Sequence, residues 1–110
     1  QGLGTTCNVP MRFGVTPDDY LKAFGDSLHE FAQKLQPELI LISAGFDSHR
    51  LDPVGSLGLD TEHFRDVTKV VLALADQHCG GRVVSLLEGG YNTDVLPLCV
   101  EAHLNELLRQ

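Results

Sequence analysis

Apolar residues recur along the first third of the chain at the spacing of an amphipathic helix. From Tyr20 to Leu35 they fall every three or four positions, which places them on one buried face. Thr16 can cap this helix and Pro17 suits its first turn, so we predict that the helix begins there. Pro37 ends it. The predicted buried positions are Tyr20, Leu21, Phe24, Leu28, Phe31, Ala32 and Leu35.

Two short runs have a different pattern, in which apolar residues follow one another directly. They are residues 39–42 and residues 83–87, where Ser85 is the one polar residue. Continuous apolar runs of this length are typical of strands covered on both faces, as in a parallel sheet flanked by helices. The sequence therefore predicts two buried parallel strands.

Helical spacing returns after each predicted strand. A second helix is predicted to begin at Asp60 or Thr61 and to end before Gly80, which suits a left-handed helix cap. A third is predicted from residue 93 or 94 to Leu108, with Pro97 in its opening turn. The predicted buried positions are Phe64, Val67, Val70, Val71, Leu74 and Ala75 in the second helix, and Leu96, Val100, Leu104 and Leu107 in the third.

The predicted order is helix–strand–helix–strand–helix, the pattern of an α/β fold with right-handed parallel crossovers. The chain has 110 residues, enough for one domain or a piece of one, with residues 1–15 as an irregular lead-in and residues 16–110 as the α/β core. Two parallel strands alone would leave both sheet edges unpaired. We therefore expect the sheet to continue into residues from elsewhere, either an absent amino-terminal portion or a second copy of the chain.

Composition excludes several classes of function. The net charge is −7 and the basic residues are scattered singly, which argues against a nucleic-acid surface or a polybasic membrane anchor. No apolar run is long enough to cross a membrane. The three cysteines, Cys7, Cys79 and Cys99, have no metal-binding or disulfide-framework spacing, so we expect reduced thiols in a cytoplasmic protein.

Two loops follow the predicted strands, and both contain residues that could do chemistry. In open parallel sheets, ligands bind at the carboxyl ends of the strands, where residues 43–58 and residues 88–92 begin. If the two strands are neighbours, Asp47 and Tyr91 can face the same crevice. The sequence thus predicts a site formed jointly by the two loops.

The first loop contains several polar side chains with more than one interpretation. Asp47 could bind a cation such as Zn²⁺, which accepts carboxylate oxygens. Alternatively, Asp47 and Asp52 are turn residues that satisfy nearby backbone amides. His49 lies two residues beyond Asp47 and could be a second ligand, although a histidine in such a loop is more commonly exposed or hydrogen-bonded to a ligand.

The second loop places an aromatic residue after two glycines. Gly89 and Gly90 let the backbone approach a ligand closely, and the phenol of Tyr91 could donate a hydrogen bond to an oxygen that becomes anionic in a transition state. The alternative is a glycine turn followed by an aromatic ring that packs into the interior. This loop alone does not separate the two.

The two loops together carry a resemblance to a known family. Residues 37–55 read PELILISAGFDSHRLDPVG and residues 88–92 read EGGYN. In this order they resemble the histone deacetylase superfamily, which includes deacetylase-like amidohydrolases, acetylpolyamine amidohydrolases and acetoin-utilisation proteins. Three shorter segments also fall where that family's pattern places them, and they are Asn8-Val9-Pro10, the helix start at residues 16–20, and Leu57-Gly58-Leu59.

The resemblance implies a fold and a set of roles. The fold would be part of the three-layer arginase/deacetylase-like architecture, and the activity a zinc-dependent hydrolysis of acetyl-lysine or acetylpolyamine-type amides. Asp47 would be one of three zinc ligands and Tyr91 the phenol that hydrogen-bonds the scissile carbonyl. Gly89 and Gly90 would line the acyl channel, together with Val54 at a position where the family usually has leucine.

The resemblance is to the carboxyl-terminal part of that family's pattern only. The other two zinc ligands and the tandem histidines of the general base would lie earlier, and the sequence has no His-His pair. A catalytic zinc needs three protein ligands and an open position. We therefore expect this chain alone not to catalyse deacetylation efficiently. The alternative is a non-catalytic, self-associating fragment that binds a ligand or partner.

Overall fold

The computed structural model describes residues 3–109, which form three helices and two strands in the predicted order. The elements are α1 (Pro17–Leu35), β1 (Ile40–Ala44), α2 (Thr61–Cys79), β2 (Val83–Leu87) and α3 (Leu96–Leu107). None of these helices is both long enough and apolar enough to cross a membrane.

Local sequence explains where the first two helices begin and end. The hydroxyl of Thr16 accepts a hydrogen bond from the Asp19 N–H at 3.2 Å, so α1 is capped as predicted. Gln36 then takes a left-handed conformation with φ 52°, which ends α1 one residue before the proline. Gly80 ends α2 in the same way, with φ 60°.

The two strands are parallel neighbours, which confirms the predicted arrangement. Their register pairs Ile40 with Val83 at one end and Ala44 with Leu87 at the other. Because parallel strands share a direction, both carboxyl ends lie at the same edge of the sheet. The loops after β1 and β2 therefore start side by side.

The core lies between this end of the sheet and the helices α2 and α3. A cluster of buried side chains joins β1 and its loop to both helices, and partly buried residues of α1 and α3 pack around it. Phe46 and Phe64 meet at its centre, with ring centroids 5.2 Å apart. The buried members are Ala44, Phe46, Leu59, Phe64 and Cys99.

One face of the sheet is not covered by residues 3–109. The side chains of Leu41, Val84 and Leu86 are 65%, 46% and 55% exposed, and we call these three residues the outer face. Leu41 and Val84 are register partners, so their side chains lie next to each other. The apolar runs predicted strands covered on both faces, and the described residues cover only one.

The third helix differs from its prediction in two respects. It begins at Leu96 rather than at residue 93 or 94, because the side chain and carbonyl of Asn92 accept hydrogen bonds from the N–H groups of Asp94, Val95 and Leu96 and hold these residues in a turn. Its buried face is also different, since Leu104 is 48% exposed. The buried positions of α3 are Cys99, Ala102, His103 and Glu106.

Candidate functional site

The backbone ladder between the strands continues into the two loops. The Glu88 N–H donates to the Ala44 carbonyl at 2.9 Å, and the Phe46 N–H donates to the Gly89 carbonyl at 2.8 Å. These bonds fix the first residues of the loops against each other. The loop that carries Asp47 and the loop that carries Tyr91 are therefore parts of one structure.

The carboxylate of Asp47 lies across the start of the second loop. A β-carbon built on Gly89 would lie 2.9 Å from both Cγ and Oδ2 of Asp47, and one built on Gly45 would lie 3.1 Å from Oδ1. Real β-carbons essentially never approach a heavy atom more closely than 3.0 Å. Glycine at position 89 therefore makes the space that the Asp47 carboxylate occupies, two residues before Tyr91.

The rest of the first loop folds back onto the backbone of Asp47 and Ser48. The Asp47 carbonyl accepts a hydrogen bond from the Ser56 N–H at 2.8 Å, and the Ser48 carbonyl accepts from the N–H groups of Leu57 and Leu59, both at 3.1 Å. Any β-carbon at Gly55 would collide with the Asp47 carbonyl. The loop is thus a closed, internally bonded structure, which holds the backbone of Asp47 in place.

Asp52 is a second carboxylate in this loop, and it is buried with 5% exposure. Its Oδ1 accepts hydrogen bonds from the N–H groups of Val54 and Gly55 at 2.8 and 3.0 Å. Its Oδ2 accepts from the N–H of Tyr91, in the other loop, at 2.8 Å. The first pair of bonds is the turn that the sequence suggested, and the third joins the two loops.

The hydrogen bonds to Asp52 also set its charge state. Burial alone would raise the pKa of this carboxyl, but the N–H groups of Tyr91, Gly55, Val54 and Asn92 together lower the pKa below its usual value. Asp52 is therefore ionised at neutral pH. As an anion it accepts the bond from the Tyr91 N–H more strongly than a neutral group would.

Tyr91 is held by its backbone while its ring stays open. The ring is 55% exposed, so within residues 3–109 it does not fill an interior position. The neighbouring Asn92 donates from its side-chain amide to the Leu51 carbonyl at 2.9 Å, which adds a second link between the loops. Gly90 has φ 136° and a built β-carbon there would lie 2.6 Å from Leu96, so a side chain is excluded at that position too.

The side chain of His49 is buried and makes structural contacts. It is 3% exposed, its Nδ1 accepts a hydrogen bond from the Leu51 N–H at 3.1 Å, and its Nε2 lies 3.4 Å from the hydroxyl of Thr61. The ring also stacks on Phe64, with centroids 6.3 Å apart. Burial lowers the pKa of this histidine. Both ring nitrogens have partners within the loop region, so His49 does not serve as the second metal ligand.

The residues of this site do not form a complete metal centre. Among residues 3–109, no group of three or more histidine, cysteine, aspartate or glutamate side chains could hold a metal ion. Catalytic zinc requires three protein ligands. Asp47 lies at a strand end and has a carboxylate, which zinc accepts as a ligand, but the described residues alone do not form such a centre.

Two further features lie around the site. Val54, predicted to form a channel wall, is 69% exposed beside Asp52 and the Gly55 turn. Behind the site, His103 of α3 bonds the hydroxyls of Thr68 and Ser85, both at 2.8 Å. Sequence reasoning missed this buried group because a histidine does not count in a pattern of apolar residues, although His103 lies on the same helical face as Leu96, Val100 and Leu107. It also missed the bond from Asp52 to Tyr91, which spans 39 positions.

The geometry of the buried histidine fixes its protonated nitrogen. The Thr68 hydroxyl donates its one proton to the Phe64 carbonyl at 2.6 Å, so it accepts a hydrogen bond from Nδ1 of His103. The neutral imidazole then accepts at Nε2 from the Ser85 hydroxyl. Burial lowers the pKa of His103, in agreement with this neutral form. The network ties α2, β2 and α3 together beneath Phe46.

Comparison with known proteins supports what the two loops suggest. Residues 1–107 match the family model described as the histone deacetylase domain. The chain is 43% identical over 107 residues to type-2 histone deacetylase 1 of Dictyostelium discoideum, a match that covers 94% of this chain and 7% of that protein. It is 35% identical over 107 residues to the histone deacetylase-like amidohydrolase of Pseudomonas aeruginosa, covering 97% of this chain and 28% of that protein.

A third relative and a solved structure agree with these matches. The chain is 43% identical over 97 residues to the human protein named polyamine deacetylase HDAC10, covering 87% of this chain and 14% of that protein. Its fold matches the crystal structure of the HDA15 HD domain with a TM-score of 0.83 and 32% identity, covering 97% of this chain and 30% of that one.

The matches cover most of this chain but a small part of each relative. The chain spans between 7% and 28% of the three curated relatives described above. The match to the family model, by contrast, covers residues 1–107 of the 110 residues of this chain. Because this family model covers nearly the whole chain, the chain belongs to the histone deacetylase family.

Proposed function

We propose that this chain is the carboxyl-terminal portion of a zinc-dependent deacetylase site that hydrolyses acetyl-lysine or acetylpolyamine-type amides. One observation carries the proposal. The Asp47 carboxylate lies against Gly89, at the end of the neighbouring strand and two residues before an exposed Tyr91. A carboxylate and a phenol-bearing residue are thereby brought to one edge of the sheet, which supports the proposal.

Each residue of the site has a role in this proposal. Asp47 would hold the zinc ion together with ligands from outside the described residues. The phenol of Tyr91 would donate a hydrogen bond to the amide carbonyl oxygen as negative charge develops there. Gly89 and Gly90, which lack side chains where space is short, would line the channel for the acyl group together with the exposed Val54.

The zinc ion, when bound, would polarise the amide carbonyl and lower the pKa of a water molecule. The general base that takes the proton of this water would come from outside residues 3–109. For this reason we propose that the chain alone does not catalyse the reaction efficiently. A cytoplasmic location, which the free Cys7, Cys79 and Cys99 favour, stays a prediction.

A chimera tests this proposal directly. The chain would replace the matching segment of the Pseudomonas aeruginosa amidohydrolase, to which it is 35% identical. We expect the chimera to bind zinc and to hydrolyse an acetyl-lysine peptide or an acetylated polyamine. Asp47→Ala should remove both the zinc and the activity. Tyr91→Phe should keep the zinc and lower kcat by about 100- to 1,000-fold, the usual effect of losing one such donor.

Matched controls are available within the chain. Tyr20→Phe removes the other phenol, which packs against the buried core and has no role in the proposed site, and should leave kcat within about twofold. Asp76→Ala removes a carboxylate from the surface of α2 and should not change zinc content. Full activity in both Asp47→Ala and Tyr91→Phe would show that these residues do not form the site.

A second function is favoured by the outer face of the sheet. Leu41, Val84 and Leu86 form an apolar surface next to unpaired strand edges, a combination that promotes association. We propose as the alternative that the chain self-associates and acts as a ligand- or partner-binding module. Light scattering of the isolated chain distinguishes the cases, because a folded monomer at micromolar concentration contradicts this alternative.

A further inference from the structure

We propose that Asp52 is a positioning residue for Tyr91. It acts through the backbone of the second loop and has no contact with zinc or substrate. The inference rests on the proposed function, because it assigns the part of the first loop that sets where the phenol lies. Its own prediction concerns a backbone amide and can be tested without metal or substrate.

The contacts of Asp52 divide between its two oxygens. Oδ1 accepts from the N–H groups of Val54 and Gly55 and so maintains a turn within its own loop. Oδ2 accepts from the Tyr91 N–H at 2.8 Å, and this bond reaches the residue whose phenol the reaction would use. One oxygen of the carboxylate therefore stabilises the turn in its own loop, and the other oxygen links the two loops.

The surroundings of Tyr91 make this bond decisive for its position. Gly89 and Gly90 precede it, and glycines allow more backbone freedom than any other residue. Its ring is 55% exposed and so receives little support from packing. Besides the Asp52 bond, the loop is held through the Gly89 carbonyl on one side and the Asn92 side chain on the other. The Asp52 carboxylate is the contact that holds Tyr91 itself.

Burial and charge both strengthen this contact. Asp52 is 5% exposed, so water competes little for its oxygens. Hydrogen bonds from neutral N–H groups to an ionised carboxylate are among the stronger ones in proteins. A loop that contains two consecutive glycines is thus fixed by a buried anion contributed by the loop that also carries Asp47.

The substitution Asp52→Asn removes the link between the loops and keeps the turn. The asparagine Oδ1 can still accept from Val54 and Gly55, which preserves the turn. Its other atom is an NH₂ group, which donates and cannot accept from the Tyr91 N–H. Asp52→Asn therefore removes the cross-loop bond selectively, while Asp52→Ala removes the turn as well.

Amide hydrogen exchange of the full 110-residue chain, measured by NMR at neutral pH, tests the inference. In Asp52→Asn we expect exchange at the Tyr91 amide to be faster by about 10-fold or more, the effect of losing a charged hydrogen bond. Exchange at Val54 and Gly55 should change by less than about threefold. Asp94→Asn, which alters an exposed carboxylate in the same loop, should change neither.

Two results would overturn the inference. One is unchanged exchange at Tyr91 in Asp52→Asn. The other is an equal increase at Tyr91, at Val54 and in all three helices, which would indicate a general loss of stability. If the variant does not fold, the wild-type chain decides through scalar couplings across hydrogen bonds. Coupling from the Asp52 carboxyl carbon to the Val54 and Gly55 amides without coupling to the Tyr91 amide contradicts the inference.

The chimera adds a functional measurement. There Asp52→Asn should lower kcat by about 10-fold or more, with KM and zinc content changed by less than about twofold, because the phenol is misplaced while the metal ligand is intact. Loss of zinc in this variant would contradict a positioning role for Tyr91. If the wild-type chimera has no deacetylase activity, the proposed function fails, and amide exchange at Tyr91 still decides the role of Asp52.

Discussion

The strand-end loops and the outer face of the sheet are stabilised to different extents by contacts among the described residues. At the strand ends, polar contacts within the chain hold the two loops together through the pairs Phe46–Gly89, Asp52–Tyr91 and Leu51–Asn92. On the outer face, Leu41, Val84 and Leu86 are about half exposed or more and no described residue covers them.

Contacts within the chain organise the two loops, whereas the described residues leave one face of the sheet uncovered. The loops need only each other, because their backbone groups and the buried Asp52 satisfy one another. The sheet needs further apolar cover and further strands, because parallel sheets are normally buried on both faces. The two loops are thus preorganised on a sheet that the described residues do not complete.

The largest effect is expected from adding a single carbon at the strand ends. In the chimera, Gly89→Ala should lower kcat by about 100-fold or more, because its β-carbon would lie 2.9 Å from Cγ of Asp47 and displace the carboxylate. Zinc content should fall as well. Gly25→Ala is the matched control, since a β-carbon there meets Val70 at 3.9 Å, an ordinary contact. Equal activities of the two variants would contradict the close approach of the loops.

A smaller effect is expected on the outer face, and it should appear only in association. Leu41→Lys should weaken self-association by about 10- to 100-fold, since burying a leucine contributes about 1.5–3 kcal/mol. The free energy of unfolding of the isolated monomer should change by less than about 0.5 kcal/mol, because Leu41 is already 65% exposed.

Leu98→Lys provides the control for the outer face. Leu98 is 52% exposed on α3, on the helix face opposite to Leu96 and Val100, which pack against the core, so its substitution should not change association. Analytical ultracentrifugation of the three chains measures the effect. If Leu41→Lys associates as strongly as the wild type, the outer face is not an interface.

The interior should show the smallest effect, as a gradual dependence of stability on pH. Burial lowers the pKa of His103 below its ordinary value of 6.5, so on unfolding the imidazole binds a proton that the folded state resists. Stability should be full above about pH 6.5 and fall as the pH decreases toward the folded-state pKa, by less than about 1.4 kcal/mol per pH unit for this group. His49, whose pKa burial also lowers, acts in the same direction.

Urea unfolding at pH 7 and pH 5.5 measures this dependence. His103→Gln should flatten it, while the contribution of His49 remains. The carboxyls with lowered pKa, Asp52 and Asp60, lose their contribution only below about pH 4, so they do not overlap with this range. A pH dependence that is unchanged in His103→Gln would contradict the assignment of a buried neutral imidazole.

The sequence predicted the order of the elements and the neighbouring parallel strands because both follow from periodicity and from turn residues such as Gly80 and Pro37. It was less accurate for α3, where apolar spacing indicated Leu104 as buried and the structure buries His103 instead. A buried histidine satisfied by Thr68 and Ser85 leaves no mark in a pattern of apolar residues.

The site was predictable only in part for a similar reason. The glycines and the residues Asp47 and Tyr91 stand out in the sequence, and their roles stay predictions. The contact of Asp52 with the second loop was not predicted, because an Asp-Pro pair indicates only a local turn. Its bond to Tyr91 depends on the register of two strands, which local sequence does not contain.

A crystal structure of the chimera with zinc and an uncleaved acetyl-lysine analogue is the most direct test of the shared site. The account predicts an Asp47 oxygen about 2.0–2.2 Å from the zinc ion. It also predicts the Tyr91 hydroxyl about 2.7–3.1 Å from the analogue's carbonyl oxygen. An Asp47 carboxylate turned away from the metal, or a Tyr91 ring on the far side of the loop from the analogue, would contradict it.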